Sequence, residues 1–368
     1  MKKPVVFLYY TGVDDVLLGS NNVTGIQVQM SFWAKVFAAH GWEVYSLTEH
    51  ESHSVEGIGF IQKKESWFDR HGFSILYEPF EALKFFRKTH PNVVLVRGAR
   101  RVLYAIKKAS DLIGAKVVFM GASDRDFEPG KELILGSGIN PKLYHRAIRN
   151  ISCFVTQNQQ QAENLLKYYG KQSVIIPNIW ISQTTNENKE TGYAALWVAN
   201  LRRLKRAEWF IGLAQKLPQY RFAIVGGVSE QDYYDRITAK VESISNLDFL
   251  GPQSLNAVNA LLSKSKLLVC TSEFEGFPNT FLQAWSESVP VISTVNPSSV
   301  ISDFGLGKVV DNESDLYNAT TELLTSENLY IQSQQNIKDY FLAHHDADKA
   351  HHKMMELVNM TNSTNDQK

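Results

Sequence analysis

Short apolar runs of strand length alternate, almost from end to end, with stretches whose apolar positions recur every three or four residues. The first run, 5–10, is followed by a helical pattern over 26–39 and a second run at 43–47, which is the order of a β-α-β unit. Further strands are predicted at 93–96, 116–120, 153–156 and 174–176, separated by helices at 81–89, 99–113, 142–150 and 159–169. Such alternation predicts a parallel sheet covered on both faces. A polar stretch from Ser182 to Gly192 then breaks the pattern and is the best domain boundary in the chain. Beyond it, strands at 194–198, 222–225, 267–271 and 289–293 alternate with helices at 207–217, 230–243, 255–263 and 280–287. Past Asp311 the chain is predicted mainly helical to Asn359, with a polar tail after it.

Composition narrows this picture. A chain of 368 residues exceeds the ~250 that one core usually serves, so two lobes of similar size are expected. Cys153 and Cys270 each sit in an apolar run and read as buried thiols in a reducing compartment. No apolar stretch approaches the ~20 residues of a membrane span. The N-terminal run is too short for a signal-peptide core and is followed by Asp14 and Asp15. A cytoplasmic protein is therefore expected.

The net charge is zero, yet residues 1–180 hold 22 basic against 16 acidic side chains, and the rest of the chain reverses that ratio. Arg97, Arg100, Arg101, Lys107, Lys108, Lys116, Lys142, Arg146 and Arg149 supply much of the excess. They read either as solvated helix faces or as a surface held against anionic lipid or an anionic acceptor. No basic-aromatic stripe of the nucleic-acid kind occurs. The ten histidines show no metal-ligand spacing, and His344, His345, His351 and His352 are expected at the surface. Glycine-rich phosphate motifs and a serine-histidine-aspartate order are also missing.

The most informative segment runs Thr271-Ser-Glu-Phe-Glu275-Gly276-Phe277-Pro278-Asn279-Thr280-Phe-Leu-Gln283-Ala-Trp-Ser-Glu-Ser-Val-Pro290. A strand ends, a Gly/Pro loop follows, and a helix begins near Asn279 or Thr280, both acceptable N-caps. Backbone N–H groups at such a helix start hold a phosphate or sugar hydroxyls well. Glu275 beside them reads either as a sugar-binding carboxylate or as a capping group in an ordinary loop. A second segment, Trp197-Val-Ala-Asn-Leu-Arg202-Arg-Leu-Lys205-Arg206, places Arg202 and Lys205 three apart on a loop entering a helix. That loop reads either as solvated basic surface or as a pair of cations able to meet an anion, with Arg203 and Arg206 as surface charges. Gly19-Ser-Asn-Asn-Val-Thr-Gly25 reads as a βα turn or as a loop through which ligands approach the backbone. Asp124-Arg-Asp126 invites a metal reading, set aside because the cations at Arg202 and Lys205 can neutralise an anionic ligand. Ser123 or Asp124 is then free to touch a sugar.

The Glu275 segment resembles the donor-binding signature of glycosyltransferase family 4, retaining enzymes of the GT-B fold that use nucleotide-sugars. Glu275-Gly276-Phe277, Ala284 and Pro290-Val291 match. The second acidic position is Gln283, and the glycine usual before Val-Pro is Ser288. Loss of the charged partner at Gln283 costs of order 1 kcal/mol of donor affinity. The Arg202 and Lys205 segment is similar to the family's phosphate-binding loop, whose commoner order has Arg where Asn200 stands, and the Gly19 to Gly25 loop is similar to its glycine loop.

The resemblance implies two Rossmann-like doubly wound α/β lobes facing a cleft: an acceptor lobe at 1–181, a donor lobe at 182–345, and a helix over 346–368 crossing back to the first. It implies sugar transfer with retention from a nucleoside-diphosphate sugar of UDP or GDP type to a glycan or lipid-linked hydroxyl in surface polysaccharide assembly. Glu275, Arg202 and Lys205 carry the chemistry, no metal or cofactor takes part, and Gly276, Phe277, Pro278, Asn279, Thr280, Gln283, Gly25 and Asp124 bind the donor. Association with the inner face of the plasma membrane is the accompanying expectation. A non-catalytic sugar-nucleotide-binding scaffold and a GT-B epimerase are the alternatives.

Overall fold

A computed structural model describes residues 3–20, 23–64, 74–131, 139–181, 192–275 and 277–363. The chain divides into two compact units: unit 1 is Met1–Leu18, Val23–Ile179 and Ala347–Lys368, and unit 2 is Gly19–Asn22 and Trp180–Asp346. The polar stretch chosen as a boundary lies, from 182 to 191, outside the described residues.

In unit 1 the order is β1 (Val5–Leu8), α1 (Val13–Leu17), α2 (Gly25–Ala39), β2 (Glu43–Thr48), β3 (His53–Val55), β4 (Ile58–Gln62), α3 (Ser74–Thr89), β5 (Val93–Arg97), α4 (Leu103–Ile113), β6 (Lys116–Met120), α5 (Ile139–Asn150), β7 (Cys153–Thr156), α6 (Gln159–Tyr169) and β8 (Val174–Ile175). The strands form one sheet, β3-β4-β2-β1-β5-β6-β7-β8, parallel except for β3. Because helices cover both faces, β1 and β5 are buried at every position, which is why they read as unbroken apolar runs.

The β3–β4 hairpin and α1 are absent from the sequence expectation. The hairpin turns through Glu56 and Gly57, both at positive φ, the two-residue geometry that matches strand twist. Glutamate is a poor marker of that turn, so the signal was weak. The helix expected from residue 81 begins at Ser74, and that expected from 99 begins at Leu103.

Unit 2 holds β9 (Tyr193–Val198), α7 (Ala207–Lys216), β10 (Phe222–Val225), α8 (Gln231–Val241), β11 (Leu247–Phe249), α9 (Leu255–Ser263), β12 (Ser265–Cys270), α10 (Asn279–Ser286), β13 (Val291–Ser293), α11 (Val300–Phe304), β14 (Gly307–Val309), α12 (Glu313–Thr325) and α13 (Glu327–His344). Its sheet, β11-β10-β9-β12-β13-β14, is parallel throughout. The three-residue edge strands β11 and β14 lie outside the sequence expectation because their apolar content is too short to stand out. At β14, Gly307 has φ 146°, and a Cβ there would lie 1.9 Å from the Val291 carbonyl oxygen, so only glycine lets the strand dock.

The last helix, α14 (Ala347–Ser363), belongs to unit 1. Ala350, Met354 and Val358 form its buried stripe, and Lys116 Nζ donates to the Val358 carbonyl at 2.5 Å. His351 is buried in the same contact, stacked on His40 at 3.8 Å and edge-on to Phe37. This corrects the expectation of surface histidines: His345 and His351 are buried, whereas His344 and His352 are exposed. Their apolar neighbours four residues away set the burial, which the paired His-His spelling concealed.

Candidate functional site

In unit 2 the central strands β9 and β12 are neighbours, so the loops leaving their carboxyl ends meet. Hydrogen bonds stitch them together. Trp197 Nε1 donates to Thr271 Oγ1 at 2.9 Å, and that hydroxyl faces the carbonyls of Lys205 and Arg206. The Glu273 amide donates to the Leu204 carbonyl at 2.9 Å.

Arg206 sits at φ 49°, turns the chain into α7, and donates to the carbonyls of Thr271 and Ser272. Its guanidinium lies over the Trp209 ring. Arg206 is thus not a surface charge as the spacing suggested: it ties the two loops together. Arg203 is exposed and paired with Glu230 and Asp232.

The result is a close ion pair between Lys205 Nζ and Glu275 Oε1, with side chains only 11% and 18% exposed. Ser272 Oγ donates to the same carboxylate oxygen at 2.8 Å. Arg202 precedes the turn that carries Lys205, and its side chain has no hydrogen bond or ion pair among the described residues. Two residues 70 positions apart in sequence therefore form a neutralised pair, on the turn that Arg202 opens. That arrangement accepts a polyanion, because a diphosphate can draw Lys205 from Glu275 while Arg202 meets it directly.

The β12–α10 loop differs in detail from its expectation. The N-cap is Pro278, with Asn279 and Thr280 as the first two helical residues. Proline's fixed φ positions the chain here, and its side chain caps nothing. Gly276 lies outside the described residues. Phe277 packs edge-on to Trp285 and against His345, so its ring serves an aromatic cluster. Gln283 is 4% exposed, and its Nε2 donates to Asn259 Oδ1 at 3.0 Å, linking α9 to α10. Ser288 stands at φ 58°, the backbone state that the family's usual glycine adopts without strain.

Gly226 directly follows β10. A Cβ there would fall 1.9 Å from the Ala199 carbonyl oxygen, so glycine is what allows the ends of β9 and β10 to close together.

Gly25 and Asp124 belong to unit 1. Gly25 opens α2, behind a capping box of Thr24 and Gln27. Asp124 is exposed and accepts from Asn158 Nδ2 at 3.2 Å. Asp126 is buried instead, accepting the amides of Ala122 and Ser123, and burial raises its pKa. The two carboxylates of Asp-x-Asp thus serve different surroundings.

Unit 1 also has a cavity of about 740 Å³ that lies outside the sequence expectation, lined among others by Tyr9, Gln62, Lys63, Lys64 and Arg100. Lys63 reaches Glu78 at 2.7 Å and Glu81 at 3.4 Å, and the Tyr9 hydroxyl donates to Glu78 at 2.5 Å. Burial and Glu78 raise the Tyr9 pKa well above its ordinary value. Two glutamates three apart on an otherwise apolar helix face were the available signal.

The expected basic surface is partly dismantled. Arg97 is buried and donates to Asn178 at 2.5 Å, with its pKa lowered to about 10 by desolvation. Lys116 is committed to α14, Arg100 lies over the Tyr10 ring, and Lys107 pairs with Asp111.

Comparison with known proteins gives this geometry a class. The two units have the GT-B fold: a glycosyltransferase from Rickettsia africae superposes with a TM-score of 0.72 at 14% identity, covering 98% of this chain and 99% of its own. A Listeria monocytogenes protein provisionally assigned as a UDP-N-acetylglucosamine 2-epimerase shares the fold at TM-score 0.67 and 13% identity, with 100% and 98% covered. Residues 178–340 match the family model described as Glycosyl transferases group 1. An uncharacterized glycosyltransferase of Methanocaldococcus jannaschii is 24% identical over 245 residues, 60% of this chain. The chain spans about 60% of the length of that curated relative. Among the described residues, no helix is long and apolar enough to cross a membrane.

Proposed function

We propose that the protein is a retaining, metal-independent glycosyltransferase of family 4. It moves a hexosyl group from a UDP- or GDP-type nucleotide-sugar to a hydroxyl of a glycan or lipid-linked acceptor in surface polysaccharide assembly. The observation that carries this reading is the Lys205–Glu275 pair, which joins the loops at the carboxyl ends of β9 and β12, on the turn that Arg202 opens. Glycosyl transfer separates a sugar from a diphosphate, so charge grows on the leaving oxygens. Fixed cations there stabilise the transition state more than the ground state. Arg202 and Lys205 receive that charge, and Glu275 with the first-turn amides of α10 orients the sugar. The leaving phosphate oxygen accepts the acceptor's proton. Unit 2 is accordingly the donor lobe and unit 1 the acceptor lobe. Lys108, Lys142, Arg146 and Arg149 remain exposed on unit 1 for an anionic membrane.

A thermal-shift screen against UDP, GDP, ADP, TDP and CMP, with and without EDTA, tests the donor site, since a ligand of the native state raises Tm. A selective shift that survives EDTA and vanishes in Arg202→Ala supports it. No shift with any nucleotide overturns it. Incubation with the shifting nucleotide-sugar in D2O separates transfer from epimerisation, because only an epimerase exchanges a sugar C–H. Charge reversal of Lys108, Lys142, Arg146 and Arg149 is expected to abolish anionic-liposome binding; unchanged binding removes the membrane role.

A further inference from the structure

A second cluster lies in unit 1, where the carboxyl ends of β1 and β2 lead into α1 and β3. One carboxylate oxygen each from Asp14 and Asp15 and one ring nitrogen of His50 all lie within 4.8 Å of one another. Asp14 is 1% exposed, and its Oδ1 has no hydrogen-bond partner. A carboxylate oxygen taken out of water and left without a donor is costly, so something other than the protein's own donors is called for.

His53 sharpens the point. Its Nδ1 lies 2.8 Å from the Glu51 carbonyl, which can only accept, so Nδ1 carries the proton. In the neutral ring Nε2 is then a lone pair, and it points at Asp14 Oδ2 from 3.4 Å without a hydrogen bond. A proton or a cation between Nε2 and Oδ2 relieves that approach, and a protonated ring makes the contact an ion pair. His50 Nε2 and Asp15 Oδ1 stand at the same 3.4 Å. Bonds of about 2.0–2.1 Å to a tetrahedral zinc put neighbouring ligand atoms about 3.3–3.4 Å apart.

The surroundings resemble an outer shell. Thr48 Oγ1 donates to Asp14 Oδ2 at 2.6 Å while receiving the His50 amide at 3.0 Å, and His53 is stacked on Phe60. Asp14 and His53 are thus held by further contacts, as the surroundings of metal ligands are.

We propose that Asp14, Asp15 and His50 bind one first-row divalent cation of the zinc type, with water completing the shell and His53 beside Asp14 as an outer contact. An imidazole with two carboxylates suits that class better than calcium or magnesium, which take oxygen ligands. The ion would clip α1 to the β2–β3 connection beside the cavity that Thr11 and Glu49 help to line. It is independent of the diphosphate chemistry assigned to unit 2.

Isothermal titration of chelator-stripped protein with Zn²⁺, followed by Co²⁺ absorption as a geometric readout, tests this. One equivalent should bind, with the intense visible bands of a tetrahedral cobalt site, and Tm should rise. Asp14→Asn and His50→Ala should each abolish saturable binding. His50 is exposed, so its variant keeps the apo-protein Tm and guards against misfolding. Thr48→Val should weaken affinity about tenfold. Failure of the wild-type chain to bind, or binding unchanged in both Asp14→Asn and His50→Ala, overturns the proposal. The EDTA-insensitive nucleotide shift is read separately, so either idea can fail alone.

Discussion

Units 1 and 2 are both wound from parallel strands, yet they store their chemistry differently. In unit 2 the cluster comes from two loops, each a continuous run of sequence after a strand: 199–206 and 271–278. In unit 1 the lining of the cavity comes from β1, β4, the start of α4 and, beneath it, Glu78 and Glu81 of α3. Phosphate recognition needs closely spaced cations and first-turn amides, which one βα loop can supply. On the proposed function unit 1's cavity serves the acceptor, and a cavity shaped to a larger molecule draws single residues from many elements. The difference explains why a motif was legible in one unit and nothing was in the other.

The largest effect that tests this contrast is on turnover. Arg202→Ala should lower kcat by about 10²–10³-fold, as removal of one transition-state donor does, with stability unchanged because the side chain has no partner among the described residues. A turnover within threefold of wild type would show that unit 2's chemistry lies elsewhere. The counterpart in unit 1 is Glu78→Ala, which strands Lys63 and the Tyr9 hydroxyl. It should cost about 3 kcal/mol by chemical denaturation, the scale of breaking a buried pair. A loss below about 1 kcal/mol would mean that the cavity floor is solvated rather than locked.

Smaller effects refine the comparison. Burial and the neighbouring His40 and His352 push His351 down to about 4 from its usual 6.5. The folded state therefore stays neutral where the unfolded chain takes up a proton, so stability falls as pH drops from about 6.5 toward 4. Tm measured across that window should fall more steeply in wild type than in His351→Phe; parallel curves would remove His351 from the acid response. Last, Ser288→Gly relieves a left-handed serine and should stabilise by about 0.5–1 kcal/mol, partly offset by a more flexible unfolded chain. A destabilised variant would mean that the Ser288 side chain makes a compensating contact.

Most strands and helices were legible because both sheets are covered on two faces, so each central strand is a short apolar run. The misses were short or edge elements: α1, the β3–β4 hairpin, β11 and β14. At the candidate site the order strand, loop, helix was readable, and so were the identities of Arg202, Lys205 and Glu275. Their union was not, nor was the turning inward of Phe277 and Gln283. A side chain's direction depends on the neighbour packed against it, and those neighbours, His345 and Asn259, are remote in sequence from the loop.

Periodicity, loop chemistry and charge spacing therefore determined by themselves the α/β class, the central strands and one βα-loop motif, because these depend on residues a few positions apart. Only the tertiary structure decided that Lys205 pairs with Glu275, that Arg206 ties loops instead of facing solvent, and that Asp14 meets His53. Those outcomes follow from which strands lie side by side, and strand order is a long-range property that local sequence does not encode.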